Sequence, residues 1–171
     1  MAKAKPMSTD TKPTPERPDL SNYGISTEAE GMLSWEWVDE QMAKSRNYWI
    51  CTTRPDGRPH ATPVWGVWIE GSLYFGCEAG SRKARNLAAN PEVVVHLESG
   101  DDTVIFEGTI EKVADRALLK RISSAYAAKY PPFEPDLKPE DTTFTVNVRM
   151  VFAWLESDFV KTATRWRFGE D

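Results

Sequence analysis

The clearest chemical signal in this sequence is the run from Gly80 to Lys83. Ser81 is a typical residue before a helix, because its hydroxyl can accept a hydrogen bond from an N–H group of the first turn. The helix it starts is predicted to stop at Asn90-Pro91, since proline cannot continue a helix. Free N–H groups and the cations Arg82 and Lys83 would attract an anion, with the helix dipole adding roughly 0.3–1 kcal/mol per charge. The pattern predicts a phosphate site, and the alternative is an ordinary solvated helix cap.

The segments before this helix predict a helix and then an antiparallel meander. Ser34 is a plausible cap for a helix that ends near Arg46. Two turn sequences follow, one at Pro55-Asp56-Gly57 and one at Glu70-Gly71, and glycine supplies the positive φ that such turns require. They separate three predicted strands, which are Tyr48–Thr53, Ala61–Ile69 and Ser72–Cys77.

The rest of the chain continues this mostly β pattern. Strands are predicted at Val93–Leu97, Thr103–Val113 and Phe144–Leu155. A further helix begins at Asp115 and is stopped by Pro131-Pro132. About six strands with helices at the ends predict a six-stranded antiparallel barrel, closed or partly closed, because closure removes exposed strand edges.

Length and composition favour one folded domain. We expect residues 31–171 to form it and residues 1–30, which are rich in Pro, Thr and Lys, to form a flexible tail. The net charge of −5 argues against a nucleic-acid partner, and no apolar run approaches the roughly 18 residues of a membrane span. Cys51 and Cys77 give neither a disulfide framework nor the spacing of metal ligands. We therefore expect a cytoplasmic protein.

Taken in order, several short segments resemble the pyridoxamine 5'-phosphate oxidase-like split-barrel superfamily. The resemblance extends from Trp35 to about Phe168. The segments are Asp56–His60, Thr62–Trp65, Leu73–Phe75, Ser81–Ala84 and Asn90-Pro91. That superfamily includes FMN oxidoreductases and reductases that use the deazaflavin coenzyme F-420. The resemblance implies a split barrel, one of these cofactors, and hydride or electron transfer to a small unsaturated or quinone-like molecule. It also implies a homodimer whose two sites are built by both chains; the alternative function is a non-catalytic flavin or haem carrier.

The resemblance also implies which residues hold the cofactor. Its phosphate would lie at Ser81, Arg82 and Lys83, and its ring would lie along Thr62, Pro63, Val64 and Trp65. The ribityl chain would border Gly76 and Cys77, with Thr103 approaching from a following strand. An aromatic and an arginine of the C-terminal segment, Trp154 and Arg167, would reach the cofactor, commonly across the dimer.

Three departures from the vitamin B6 oxidases separate this chain from them. Val67 stands where those enzymes use a lysine to grip the substrate phosphate, and Thr62 replaces an arginine on the cofactor strand. Their C-terminal Arg-x-His element is absent, since the matching span reads Ala163-Thr164-Arg165. We therefore expect no significant oxidation of pyridoxine phosphates. His60 has no evident partner to orient it and is interpreted as a polar surface residue, or as one that faces the cofactor cleft.

Overall fold

A computed structural model describes residues 13–133, 135 and 141–169. The helices are α1 (Trp35–Lys44), α2 (Arg82–Ala89), α3 (Arg116–Lys129) and α4 (Phe159–Thr162), with short 3-10 turns at Ser21–Tyr23 and Glu156–Asp158. The strands are β1 (Asn47–Thr53), β2 (Pro59–Ile69), β3 (Ser72–Glu78), β4 (Glu92–His96), β5 (Asp102–Lys112), β6 (Asp141–Leu155) and β7 (Thr164–Arg167).

Six of these strands close into an antiparallel barrel. The sheet order is β3-β2-β1-β4-β5-β6-β7, and β3 also pairs with β6, which closes the ring. This confirms the predicted six-stranded barrel with flanking helices. The seventh strand, β7, adds to β6 opposite Met150–Ala153 and was not predicted. It is only four residues long, and such a short run carries little alternation of apolar and polar residues.

The barrel is split where β2 and β3 part. They pair only between Gly66–Ile69 and Ser72–Phe75, after which β3 continues along β6. Tyr126 of α3 fills this gap by donating to the Trp65 carbonyl at 2.8 Å. On the other edge of β2, the hydroxyl of Tyr130, which follows α3, accepts from Gly66 N at 3.0 Å and lies 2.7 Å from the Gly66 carbonyl and 2.6 Å from the Arg46 carbonyl before β1. These bonds replace ladder bonds that neighbouring strands would otherwise supply.

At the point where β2 and β3 separate, Gly66 is needed because there is little room for a side chain, and not because its φ angle requires glycine. A Cβ there would lie 3.0 Å from the Tyr48 ring and 3.1 Å from the Tyr74 carbonyl oxygen. Tyr48 is itself completely buried, so it has little room to yield. A larger residue at this position would therefore require the Tyr48 ring or the backbone of β3 to shift.

The core fills the barrel, and α1 closes one end of it. Ser34 caps α1 as predicted, accepting from Trp37 N at 3.2 Å. On the inner side of α1, Trp35 packs edge-on against Trp166 and Phe106, with ring centres 5.6 and 6.3 Å apart. Both partners are buried in the core. Within the described residues, no helix is both long enough and apolar enough to cross a membrane.

The N-terminal segment contacts the C-terminal strand. Glu16 forms a β-bridge with Arg165, and its carboxylate accepts from Arg165 Nε at 2.8 Å and from Arg167 Nε at 2.7 Å. Burial alone would raise the pKa of Glu16, but the bonds from the two arginines outweigh burial and lower it. Part of the predicted tail of residues 1–30 therefore makes specific contacts, while residues 1–12 lie outside the described residues. The flexibility of that tail and the boundary near residue 30 stay predictions.

Arg17 allows a test of how much this segment contributes to stability. Its guanidinium donates to two carbonyls of its own segment and to two near β7, those of Glu28, Glu30, Lys161 and Ala163, at 2.6–2.9 Å. We expect Arg17→Ala to lower the free energy of unfolding by about 1–2 kcal/mol, since charged hydrogen bonds are lost. Denaturant unfolding measures this. Arg17→Lys should retain only part of the stability that Arg17→Ala loses, because an ammonium lacks the planar fork that reaches four acceptors. Equal stability of Arg17→Ala and the parent would contradict the expectation.

Candidate functional site

The start of α2 has the geometry that the sequence predicts. The Ser81 side chain accepts from Ala84 N at 3.2 Å, and Arg82 opens the helix with its side chain exposed. Lys83 instead points inward and is only 9% exposed. Its ammonium lies 5.9 Å from the centre of the Phe75 ring, and no carboxylate of the described residues forms an ion pair with it.

The inward position of Lys83 is electrostatically costly without an anion. Burial lowers the pKa of Lys83, and the nearby Cys77 thiol acts more weakly in the opposite direction. A buried cation is normally paired, because removing its hydration is expensive. Both effects indicate that the place beside the Lys83 ammonium suits a negatively charged group.

Arg54 is a second cation at this place, and sequence analysis missed it. It follows β1 directly, and its Nε atom is buried without a hydrogen-bond partner among the described residues. Burial lowers the pKa of His60, and the charges of Arg54, Arg82 and Lys83 lower it further, so all three cations act on His60. The charges of this cationic group therefore act on His60, and both interpretations of His60 stay predictions.

A buried polar contact holds α2 against the barrel and so brings the cations together. Asn86 is completely buried and donates from Nδ2 to Thr52 Oγ1 at 2.9 Å. The Thr52 hydroxyl in turn lies 3.4 Å from the His60 carbonyl. Because Thr52 precedes Arg54 by two residues, docking of α2 on β1 places Arg54 near Lys83. The sequence contains no local signal for this docking.

The predicted ring strand presents an open backbone edge. Pro63 lies opposite Trp49 on β1, and proline tolerates this position because the residue there does not bond to the neighbouring strand. By the alternation of the ladder, the backbone groups of Pro63 and Trp65 point away from β1, toward the gap that β3 leaves. Val64 is buried in the core, whereas Trp65 is 41% exposed, and Thr62 faces inward with Val64.

Trp65 also forms one wall of a cavity of about 260 Å³ between β3, β6 and α3. The predicted residues Gly76 and Cys77 line this cavity as well. The Trp65 ring stacks on Tyr130 with 4.5 Å between centres and 6° between planes, and Phe133 meets it edge-on at 5.5 Å. The structure thus brings Trp65, Gly76 and Cys77 together at this cavity, and Lys83 lies near Phe75 and Cys77.

The remaining predicted residues lie elsewhere in the same chain. Thr103 is buried, donates to the Gly100 carbonyl at 2.9 Å, and pairs with Trp154 across β5 and β6. Cys77 pairs with Thr142 at the other end of β6, twelve residues before Trp154. At about 3.3 Å per residue, the two positions are separated by roughly 35–40 Å of strand. Within one chain, Thr103 and Trp154 therefore lie at the opposite end of β6 from the partner of Cys77.

A stripe of half-buried side chains connects this second group across the outer face of the barrel. Trp49, His96, Ile105 and Phe152 are cross-strand neighbours in register on β1, β4, β5 and β6, and all four point outward. The Trp49 and His96 rings stack with only 3° between their planes. By strand alternation, Thr103 and Trp154 lie on this same outer face, where Trp154 packs edge-on against Phe159. Arg167 also lies there, bound to Glu16.

Behind the Trp65 wall, a further cation is partly buried. Lys129 Nζ donates to the Tyr48 hydroxyl at 3.0 Å and to the Gly66 carbonyl at 2.9 Å. Burial, and then the positive charge of Arg46, lower the pKa of Lys129 to about 8. Burial also raises the pKa of Tyr48, so this tyrosine stays protonated. The network fixes the end of α3 to the point where the barrel splits.

Comparison of the sequence with protein families shows which family it matches. The sequence model described as pyridoxamine 5'-phosphate oxidase matches residues 35–155, which is most of the folded chain. A comparison with curated proteins found no match.

Comparison with solved structures gives several similar folds. The conserved hypothetical protein Rv2991 from Mycobacterium tuberculosis is 27% identical with a TM-score of 0.66, covering 75% of this chain and 88% of that one. A structure described as an F420 reductase is 26% identical with a TM-score of 0.52, covering 66% of this chain and 94% of that one. The haem storage protein HutZ from Vibrio cholerae, at 16% identity and a TM-score of 0.60, covers 71% and 95% and shows the shared fold alone.

Lys129 should make stability depend on pH. Its pKa is about 8 in the folded protein and ordinarily 10.5, so between these values the unfolded chain binds a proton that the folded chain has released. The Lys129 contribution to the free energy of unfolding should therefore rise as pH increases from about 8 toward 10.5. Lys129→Met should remove this rise, measured as the difference between variant and parent in denaturant unfolding at pH 7 to 9.5. A difference that is the same at every pH would contradict the assignment.

Proposed function

This chain belongs to the pyridoxamine 5'-phosphate oxidase family, and from that premise we propose that it is a cytoplasmic oxidoreductase that binds FMN or the deazaflavin coenzyme F-420. Its substrate is a small unsaturated or quinone-like molecule rather than a pyridoxine phosphate. The observation that carries the proposal is the cationic group of Arg54, Arg82 and Lys83, two of them buried or partly buried without an anionic partner among the described residues. The alternative is a non-catalytic flavin or haem carrier.

The residues at this place fit the phosphate of such a cofactor. Lys83 and Arg54 provide charge in a partly desolvated setting, and Ser81 starts a helix whose first N–H groups face the same side. An anion here would supply the hydrogen bonds that Arg54 Nε lacks. Arg82 is exposed and would contribute from the rim.

The adjoining edge of β2 fits the polar side of a flavin-type ring. Trp65 N–H and the Pro63 carbonyl point into the gap between β2 and β3, so they offer one donor and one acceptor from rigid backbone. When bound, the cofactor supplies the hydride chemistry. The chain binds and orients it, and the cavity beside Trp65 leaves room for a second molecule, which supports an enzyme over a carrier that would bury the ring fully.

A homodimer would unite the two separated groups of candidate residues. Thr103, Trp154 and Arg167 share the outer face with the apolar stripe from Trp49 to Phe152. A second copy that covers this stripe would remove apolar surface from water and bring its own Trp154 toward the first copy's cofactor site. We therefore propose two equivalent sites, each completed by the partner.

Removal of the phosphate-binding cations tests the proposed function. Lys83→Ala and Arg54→Ala should each weaken binding of FMN or coenzyme F-420 about ten- to hundredfold, since each deletes charge-assisted hydrogen bonds of roughly 1.5–3 kcal/mol. Arg82→Ala should weaken binding by an amount at the lower end of this range, because the Arg82 side chain is exposed. Titration of both cofactors, with absorption spectra, measures affinity and also detects a haem carrier.

Arg121→Ala is the matched control for these variants. Its guanidinium is exposed and paired with Glu70 on the β2–β3 turn, away from α2. Arg85 is less suitable, because it donates to the Gly80 carbonyl at 2.7 Å and supports the loop before α2. Melting curves should show that Lys83→Ala folds at least as stably as the parent, since a buried unpaired cation is removed. Parental cofactor affinity in Lys83→Ala would refute the proposed phosphate site.

Mixed dimers test whether the sites are shared. In a homodimer of Lys83→Ala or of Trp154→Ala, every site lacks one cofactor-binding side chain, so neither homodimer should bind cofactor well. Refolded together, a heterodimer has one site with both defects and one intact site, if Trp154 acts across the interface. Random mixing should then restore about one quarter of the parental sites. No recovery in dimers that mass measurement confirms would mean that the site lies within one chain.

A further inference from the structure

The cavity beside Trp65 exposes aromatic surface that a folded chain normally covers. Trp65 is 41% exposed and Phe133 is 43% exposed, and the two rings meet edge-on at 5.5 Å. Trp65 is held in place from behind by its stack on Tyr130. Ile122 and Tyr126 of α3 complete an apolar side. Such rigid aromatic walls favour a flat apolar molecule.

The Tyr126 hydroxyl is committed to the fold rather than to a ligand. It donates to the Trp65 carbonyl at 2.8 Å, and burial raises its pKa, so the proton stays on the oxygen. Apart from the Glu78 carboxylate, the polar groups that remain toward the cavity are neutral, from Ser123, Thr142, Thr143 and Cys77. They suit a carbonyl or hydroxyl of a neutral ligand.

The described lining of the cavity disfavours anions. Among the described residues that line it, Glu78 is the one charged side chain. The cations Arg54, Arg82 and Lys83 are not among those lining residues, and Arg46 lies 5.7 Å from the centre of the Trp65 ring without lining the cavity. A phosphate or carboxylate here would meet a carboxylate and no compensating cation of the described residues.

We propose that this cavity is the acceptor pocket and that it takes a flat, neutral or cationic molecule of one or two rings. This rests on the proposed function, because Trp65, Gly76 and Cys77 border both the cavity and the cofactor cleft. The volume of about 260 Å³ lies just below the roughly 300–1,000 Å³ of drug-sized pockets, which limits the ring count. Selection by charge makes phosphorylated and carboxylated molecules poor substrates.

Three probes that share one ring system and differ in charge test the proposal. They are 2-naphthalenemethanol, 2-naphthylmethylammonium and 2-naphthoate, titrated into the full chain with and without FMN by calorimetry. We expect the alcohol and the ammonium to bind at least tenfold more tightly than naphthoate. Any tighter binding of the ammonium than of the alcohol should disappear in Glu78→Gln, a change of about twofold to fivefold in the affinity for the ammonium. The affinity for the alcohol should stay the same.

Variants of the cavity and of a remote surface separate specific from general effects. Phe133→Ala should weaken all three probes about fivefold or more, because it removes one aromatic wall. Val160→Ala, which changes an exposed apolar residue outside the cavity lining, should change none of them. Absence of binding, naphthoate binding as tightly as the alcohol, or no effect of Phe133→Ala would each overturn the proposal.

Cofactor titrations keep this test separate from the proposed function. Lys83→Ala should weaken FMN binding and leave the naphthyl alcohol unaffected, whereas Phe133→Ala should affect the alcohol more than FMN. Mutually exclusive binding of FMN and the alcohol would assign the cavity to the cofactor and refute an acceptor pocket. Failure of FMN to bind while the charge preference persists would refute the flavin proposal and leave the ligand class of the cavity standing.

Discussion

The separation of β2 from β3 at Gly66 is the constraint on which the rest of the structure depends. A barrel strand that leaves its neighbour exposes unpaired backbone groups, which are costly unless they find partners. Here the Tyr126 hydroxyl satisfies the Trp65 carbonyl at the split, and the backbone edge further along β2 stays open. The separation of β2 from β3 thus positions α3, opens the candidate ring site and creates the cavity beside Trp65.

The inner and outer faces of the barrel have different roles. Inward-pointing residues such as Tyr48 and Phe106 form the core and give rigidity. Outward-pointing residues from Trp49 to Phe152 form an apolar stripe at right angles to the strands. Because strand alternation assigns each residue to one face, the sequence that builds the core also determines which side chains are available to another molecule.

Local features could be predicted from sequence, and contacts between distant elements could not. The caps Ser34, Ser81 and Asp115 and the Glu70-Gly71 turn each follow from short-range chemistry, and the structure has all of them. Ser81 and Lys83 lie where the pattern placed them. Arg54 was missed because only the docking of α2 on β1 makes it part of the site.

The contact between Glu16 and Arg165 joins residues separated by 149 positions in the chain. Closing so long a loop has an entropic cost that only an ordered β7 can offset, because the bridge needs both Arg165 and Arg167 in position. We therefore expect the N-terminal segment to dock after the barrel has folded and to detach before it unfolds. Because it docks onto β7 through Arg165 and Arg167, its attachment reports that the C-terminal strand has reached its final position.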